Sequence, residues 1–107
     1  MTAYFTENHF NRLKPEEAEA LAILSEECGE LIQAIGKIMR HGLGSKHPDS
    51  NIQNQDALVR EIGDVLAAIR ICRAQRLIEW DAIIAARDQK LNRVRQYLHH
   101  AKVTVDE

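Results

Sequence analysis

The nine residues ECGELIQAI, beginning at Glu27, return thirty-four positions later as EIGDVLAAI, beginning at Glu61. Each copy reads acid, any residue, Gly, acid, two aliphatics, any residue, Ala, Ile. In a helix, residues three apart share a face, so Glu27 and Glu30 point the same way, as do Glu61 and Asp64. Each acid precedes an apolar residue, namely Cys28, Leu31, Ile62 and Val65. One residue is a step of about 100°, so both acid pairs are expected to border an apolar stripe in the same sense. If the two stripes pack together, the acid pairs face each other across the seam.

A period of thirty-four also belongs to tetratricopeptide arrays, but those need about three copies and a Trp-Leu-Gly-Tyr signature. Only two copies occur here, separated by the polar stretch SKHPDSNIQNQ. The array is rejected, and the repeat is read as two helices of one all-α domain.

The rest of the chain agrees with that reading. Pro15 followed by Glu16 and Glu17 opens a helix, since Pro suits the first turn and acids favour its positive end. Leu21, Leu24, Cys28, Leu31, Ile35 and Ile38 step by three and four, widened by Ile32 and Met39, and predict a stripe as far as Arg40. Gly42 or Gly44 in HGLG ends it. A second helix is expected from about Gln55 to Arg76 with the stripe Leu58, Ile62, Val65, Ile69 and Cys72. A break near Leu77 to Trp80 precedes a shorter third helix. Residues 1–14 show no clear period, 43–54 form a polar loop, and the tail 99–107 is expected to fray, with VTV the only strand-like run. At 107 residues this is one domain: a helical bundle of two long antiparallel helices plus a shorter one.

Four partly buried carboxylates repel one another unless something neutralises them. A divalent cation does so at neutral pH, and an all-carboxylate set suits hard ions, Mg²⁺ or Mn²⁺. No Glu-x-x-His pair suggests a di-iron site, and no His or Cys stands at zinc-ligand spacing near the acids. Gly29 and Gly63, each costing about 1 kcal/mol against Ala in a helix, suggest that a backbone or a phosphate approaches there.

The sequences LAILSEECGELIQAIGKIMRHG and LVREIGDVLAAI carry Glu27-x-x-Glu30 and Glu61-x-x-Asp64 on two helices joined by a polar loop. This resembles the MazG-like all-α nucleoside triphosphate pyrophosphohydrolases, over roughly residues 16 to 97. Thirty residues separate Glu30 from Glu61, at or beyond the long end of the family gap. The resemblance implies that Glu27, Glu30, Glu61 and Asp64 bind Mg²⁺ and that a nucleotide is hydrolysed to monophosphate and pyrophosphate. Glu30 is the candidate base for the attacking water, while Glu26 is expected to face solvent. Lys37 and His41 continue the face of Glu27 and Glu30 towards phosphate, and Arg40 completes a KxxRH pattern shared with the family. Lys90 and Arg93, three apart on the third helix, resemble a family pair that contacts phosphate. Asn54 and its loop are candidates for the sugar or base, and Trp80 reads as core more readily than as a stacking platform.

Apolar surface left on the long helices predicts a homodimer or homotetramer, as the resemblance also implies. The formal charge of -2 gives no ground for a nucleic-acid partner, although RDQKLNRVRQYLHHAK keeps a nucleic-acid-binding regulatory module as the alternative, beside a non-catalytic nucleotide or metal sensor. MTAYFTENHF has no signal-peptide pattern and no apolar run is long enough for a membrane. Cys28 and Cys72 read as reduced core residues of a cytoplasmic protein.

Overall fold

The computed structural model describes residues 10–104. Three α-helices follow one another: α1 over Pro15–His41, α2 over Asn54–Ala74 and α3 over Trp80–Val94, the last running into a 3₁₀ turn at Arg95–Tyr97. No strand occurs among the described residues, only an isolated bridge between Lys46 and Gln53. The all-α expectation holds; residues 1–9 and Val105 of VTV lie outside the described residues.

The chain forms two compact units, residues 1–77 and 78–107. In the first, α1 and α2 pack antiparallel. The Cys72 thiol near the end of α2 lies 3.5 Å from the Ala20 carbonyl near the start of α1. At the other end, Asn54 Nδ2 on the first residue of α2 donates to the Gly42 carbonyl at 3.0 Å.

The helix ends follow from local chemistry. Pro15 occupies the first turn of α1, and Glu17 Oε1 accepts the Lys14 backbone N–H at 2.8 Å. Gly42 closes α1 with φ 88° and ψ 168°, a backbone region essentially reserved for glycine. The end of α2 is a Schellman motif: Leu77 N–H donates to Cys72 and Arg76 N–H to Arg73. Its left-handed position is held by Arg76, with φ 60°, where glycine is the usual occupant.

The packed face of α1 differs in phase from the predicted stripe. Ala20 and Ala34 are buried, Leu24, Glu27, Leu31 and Ile38 are half-buried, and Leu21, Cys28 and Ile35 are exposed. On α2, Asn54, Ala68 and Cys72 are buried, Glu61 and Val65 half-buried, and Ile62 is exposed. The acids therefore do not all border the stripe. Glu27 and Glu61 lie within it, and the apolar residues after them, Cys28 and Ile62, turn outward. Cys28 is accordingly not a core residue, whereas Cys72 is. Small side chains at the seam, Ala20, Ala34 and Ala68, let the backbones approach and leave room for carboxylates between them.

No residue of α3 is fully buried, and Arg87 pairs with Asp88 at 2.8 Å. Trp80 opens α3 and is 41% exposed, against the expectation that it is core.

Replacing Gly42 by Ala is expected to cost about 1–3 kcal/mol, because alanine cannot adopt this backbone without strain. Arg76→Gly should stabilise by about 1–2 kcal/mol, the left-handed penalty it relieves. Chemical denaturation of the two variants beside the parent checks both signs.

Candidate metal centre

The seam of α1 and α2 brings Glu27, Glu30, Glu61 and Asp64 together. One carboxylate oxygen from each lies within 4.8 Å of all the others. A single Mg²⁺ places opposite ligand oxygens about 4.2 Å apart, and Ca²⁺ about 5 Å, so the quartet has the span of one divalent site. No hydrogen bond serves Glu27 Oε2 or Glu61 Oε2, although both atoms are buried. Buried, unpartnered carboxylate oxygens are costly, and a hard cation is the partner that an all-oxygen donor set selects. The residues present fit a metal ion.

Electrostatics agree. Burial pushes the Glu27 carboxyl above its ordinary value, and Glu30 and Asp64 add to the shift. Glu61 is raised in the same way, by burial first and then by Glu30 and Asp64, with Arg60 opposing. Glu27 and Glu61 hold their protons more tightly than isolated carboxyls do, as burial beside like charges requires.

No other part of the described chain comes close to Gly29 or Gly63, since a Cβ on either would meet nothing within 4 Å. In helical projection both point about 180° from the seam residues Ala20 and Asn54, which explains the open space.

Beside the quartet opens a cleft of about 300 Å³, walled by Glu30, Glu61, Lys37, Gln33, Asn54 and Ala57. The structure thus gathers four sequence-predicted residues of α1 and α2, Glu30, Lys37, Asn54 and Glu61. Asn54 is only 8% exposed, so its side chain also joins the ends of α1 and α2. His41 lies beyond, in an adjoining pocket of about 190 Å³ that shares Lys37 and Asn54. A third recess of about 130 Å³ adds His47 and Arg60 to the same pair. Glu26 is exposed, as expected. Lys90 and Arg93 are exposed on α3 in the second unit.

Gln33, Arg60, Lys46 and His47 are wall residues that the sequence did not single out. Gln33 lies four residues before Lys37, and that spacing was the one available signal. The loop residues carried none, because their placement depends on how residues 43–53 fold back over α2.

A family model described as the MazG nucleotide pyrophosphohydrolase domain matches residues 16–99. The chain belongs to that family. The match spans α1, the loop, α2 and α3, and with it all four acids. Membership suggests a nucleotide pyrophosphohydrolase in general terms, from a family that uses divalent metals. No curated protein and no solved structure matches the chain significantly. No helix among the described residues is long and apolar enough to cross a membrane.

The raised carboxyls fix the sign of a pH dependence. Between the ordinary value of 4.5 and the raised values, the metal-free fold binds more protons than the unfolded chain. The stabilisation is complete below the ordinary value and is lost as pH rises through the raised ones. On account of these two groups, metal-free protein should therefore melt at lower temperature as pH climbs above the ordinary value of 4.5. Glu61→Gln should flatten that slope and raise the metal-free melting temperature at neutral pH, a comparison that thermal scans in EDTA make directly.

Proposed function

We propose that the protein hydrolyses a ribo- or deoxynucleoside triphosphate to the monophosphate and pyrophosphate with the help of a divalent cation. Mg²⁺ is the first choice and Mn²⁺ the second, held by Glu27, Glu30, Glu61 and Asp64. The observation that carries this reading is the pair of buried oxygens, Glu27 Oε2 and Glu61 Oε2, unpartnered inside a converging acid quartet. Bound there, a cation supplies charge neutralisation for phosphate and lowers the pKa of a water.

The chain's own groups fill the remaining roles. Glu30 lines the cleft and is the candidate to orient a water and take its proton. That water attacks the α-phosphorus in line, the bond from this phosphorus to the bridging oxygen breaks, and pyrophosphate leaves. Lys37 lines the same cleft and is placed to balance phosphate charge. Asn54 holds the Gly42 carbonyl and so fixes the cleft's far wall, where the sugar or base is the candidate occupant. His41, with Lys90 and Arg93, belongs to the proposal as a phosphate contact; the last two rest on residue type and resemblance.

The proposal extends to assembly and place. Ile32 is 70% exposed, Met39 82% and Val59 65%, apolar side chains on the outer faces of α1 and α2. Covering them by a second copy gives the homodimer or homotetramer. Two free cysteines, one of them exposed, suit a reducing compartment, so the cytoplasm is the proposed location.

Incubation with a panel of nucleoside triphosphates should release pyrophosphate with Mg²⁺ and not with EDTA. Glu61→Gln and Asp64→Asn should lower turnover by a factor of about 10² or more while remaining folded in metal-free buffer. Absence of turnover at protein concentrations that bind metal contradicts the proposal. In light scattering, Ile32→Glu combined with Met39→Glu should convert the parent oligomer into monomer; a monomeric parent contradicts the assembly.

A further inference from the structure

The pocket that adjoins the acid-lined cleft has the opposite electrostatic character. Lys37, Arg40, His41, Lys46 and His47 wall it, with no Asp or Glu among its lining residues. Two of these, Arg40 and His41, belong to the last turn of α1, and two to the loop that follows. Lys37 and Asn54 line this pocket and the acid-lined cleft alike, so the two volumes adjoin.

The polar backbone around the pocket is already engaged on its acceptor side. The Gly42 carbonyl takes Asn54 Nδ2, and the Leu43 and Ser45 carbonyls take the first N–H groups of α2. The His47 carbonyl accepts from Asn51 N–H. His47 Nδ1 accepts the Asp49 N–H at 3.1 Å, which places the proton of a neutral ring on Nε2. His47 is therefore a donor at Nε2 whether charged or neutral. Five of the eight residues that line the pocket, Lys37, Arg40, His41, Lys46 and His47, are cationic or imidazole side chains that offer N–H donors. A nucleobase asks for stacking or a mixture of donors and acceptors, and no aromatic ring other than imidazole lines the walls. A multiply charged oxyanion asks for donors alone.

We propose that this pocket seats the terminal phosphates of the substrate, so that the protein selects nucleoside triphosphates over diphosphates and retains inorganic pyrophosphate as a bound product. The assignment rests on the pyrophosphohydrolase reading above, and it gives the loop residues Lys46 and His47 a specificity role. Polarity runs along the cleft: the α-phosphate lies at the acids, and the β- and γ-phosphates point past Lys37 towards the loop.

Calorimetric titration with inorganic pyrophosphate in Mg²⁺ buffer tests the assignment without requiring turnover. Lys46→Ala with His47→Ala should weaken pyrophosphate binding roughly tenfold or more, as expected for lost charge-assisted bonds, while Mn²⁺ affinity stays within about twofold. Lys46→Ala alone removes a side chain and leaves the loop's backbone bonds intact, so its smaller loss in the same direction excludes loop collapse as the cause. In kinetics, the double variant should lose the preference for triphosphate over diphosphate through a raised KM for the triphosphate. Unchanged pyrophosphate affinity in the double variant overturns the assignment, as does sulfate binding as tightly as pyrophosphate. If the hydrolytic reading fails instead, no nucleotide is turned over while pyrophosphate binding and its dependence on Lys46 and His47 persist.

Discussion

The seam of α1 and α2 holds four carboxylates that repel one another. A helix seam normally gains from burying apolar surface, yet here Glu27 and Glu61 occupy positions that an aliphatic residue would fill. Placing charge at that level costs stability in the metal-free state, which the raised carboxyls and unpartnered oxygens record. A cation bound by the quartet would offset that cost, turning four mutually repelling groups into one shared coordination shell.

The scaffold answers that cost with close packing on either side. Positions thirty-four apart share their surroundings: Ala20 with Asn54, and Ala34 with Ala68, are all buried in the seam. The repeated phrase is thus the visible part of a longer correspondence between two antiparallel helices. Asn54 departs from the alanine at its counterpart, and its amide joins the ends of α1 and α2 at the wall common to all three recesses. Gly42 serves the same junction from the other side, ending α1 with a backbone conformation that presents its carbonyl to Asn54.

Much of this was legible in the sequence. Pro15 and Gly42 mark the ends of α1, the expected start of α2 near Gln55 is one residue from Asn54, and the break before Trp80 is where α2 stops. The quartet was legible because a helix forces residues three apart onto one face, and the phrase occurs twice. The phase of the core was not. Apolar residues were counted as buried, which assigned Cys28, Ile35 and Ile62 to the core and moved the acids to its border. Pattern reading counts apolar residues and has no means of placing a carboxylate inside a seam. The glycines point away from the seam, and no other part of the described chain packs against either. The basic loop was silent because the approach of Lys46 and His47 to Lys37 is a tertiary fact with no helical spacing behind it.

Paramagnetic resonance of Mn²⁺ reports whether the quartet is a cation site. Titrated into metal-free protein, Mn²⁺ should lose its free-ion signal in proportion to protein, and Glu27→Gln or Glu61→Gln should restore most of that signal at the same concentrations. Mn²⁺ that remains free in the presence of the parent protein, or that binds both variants as tightly as the parent, would contradict the account.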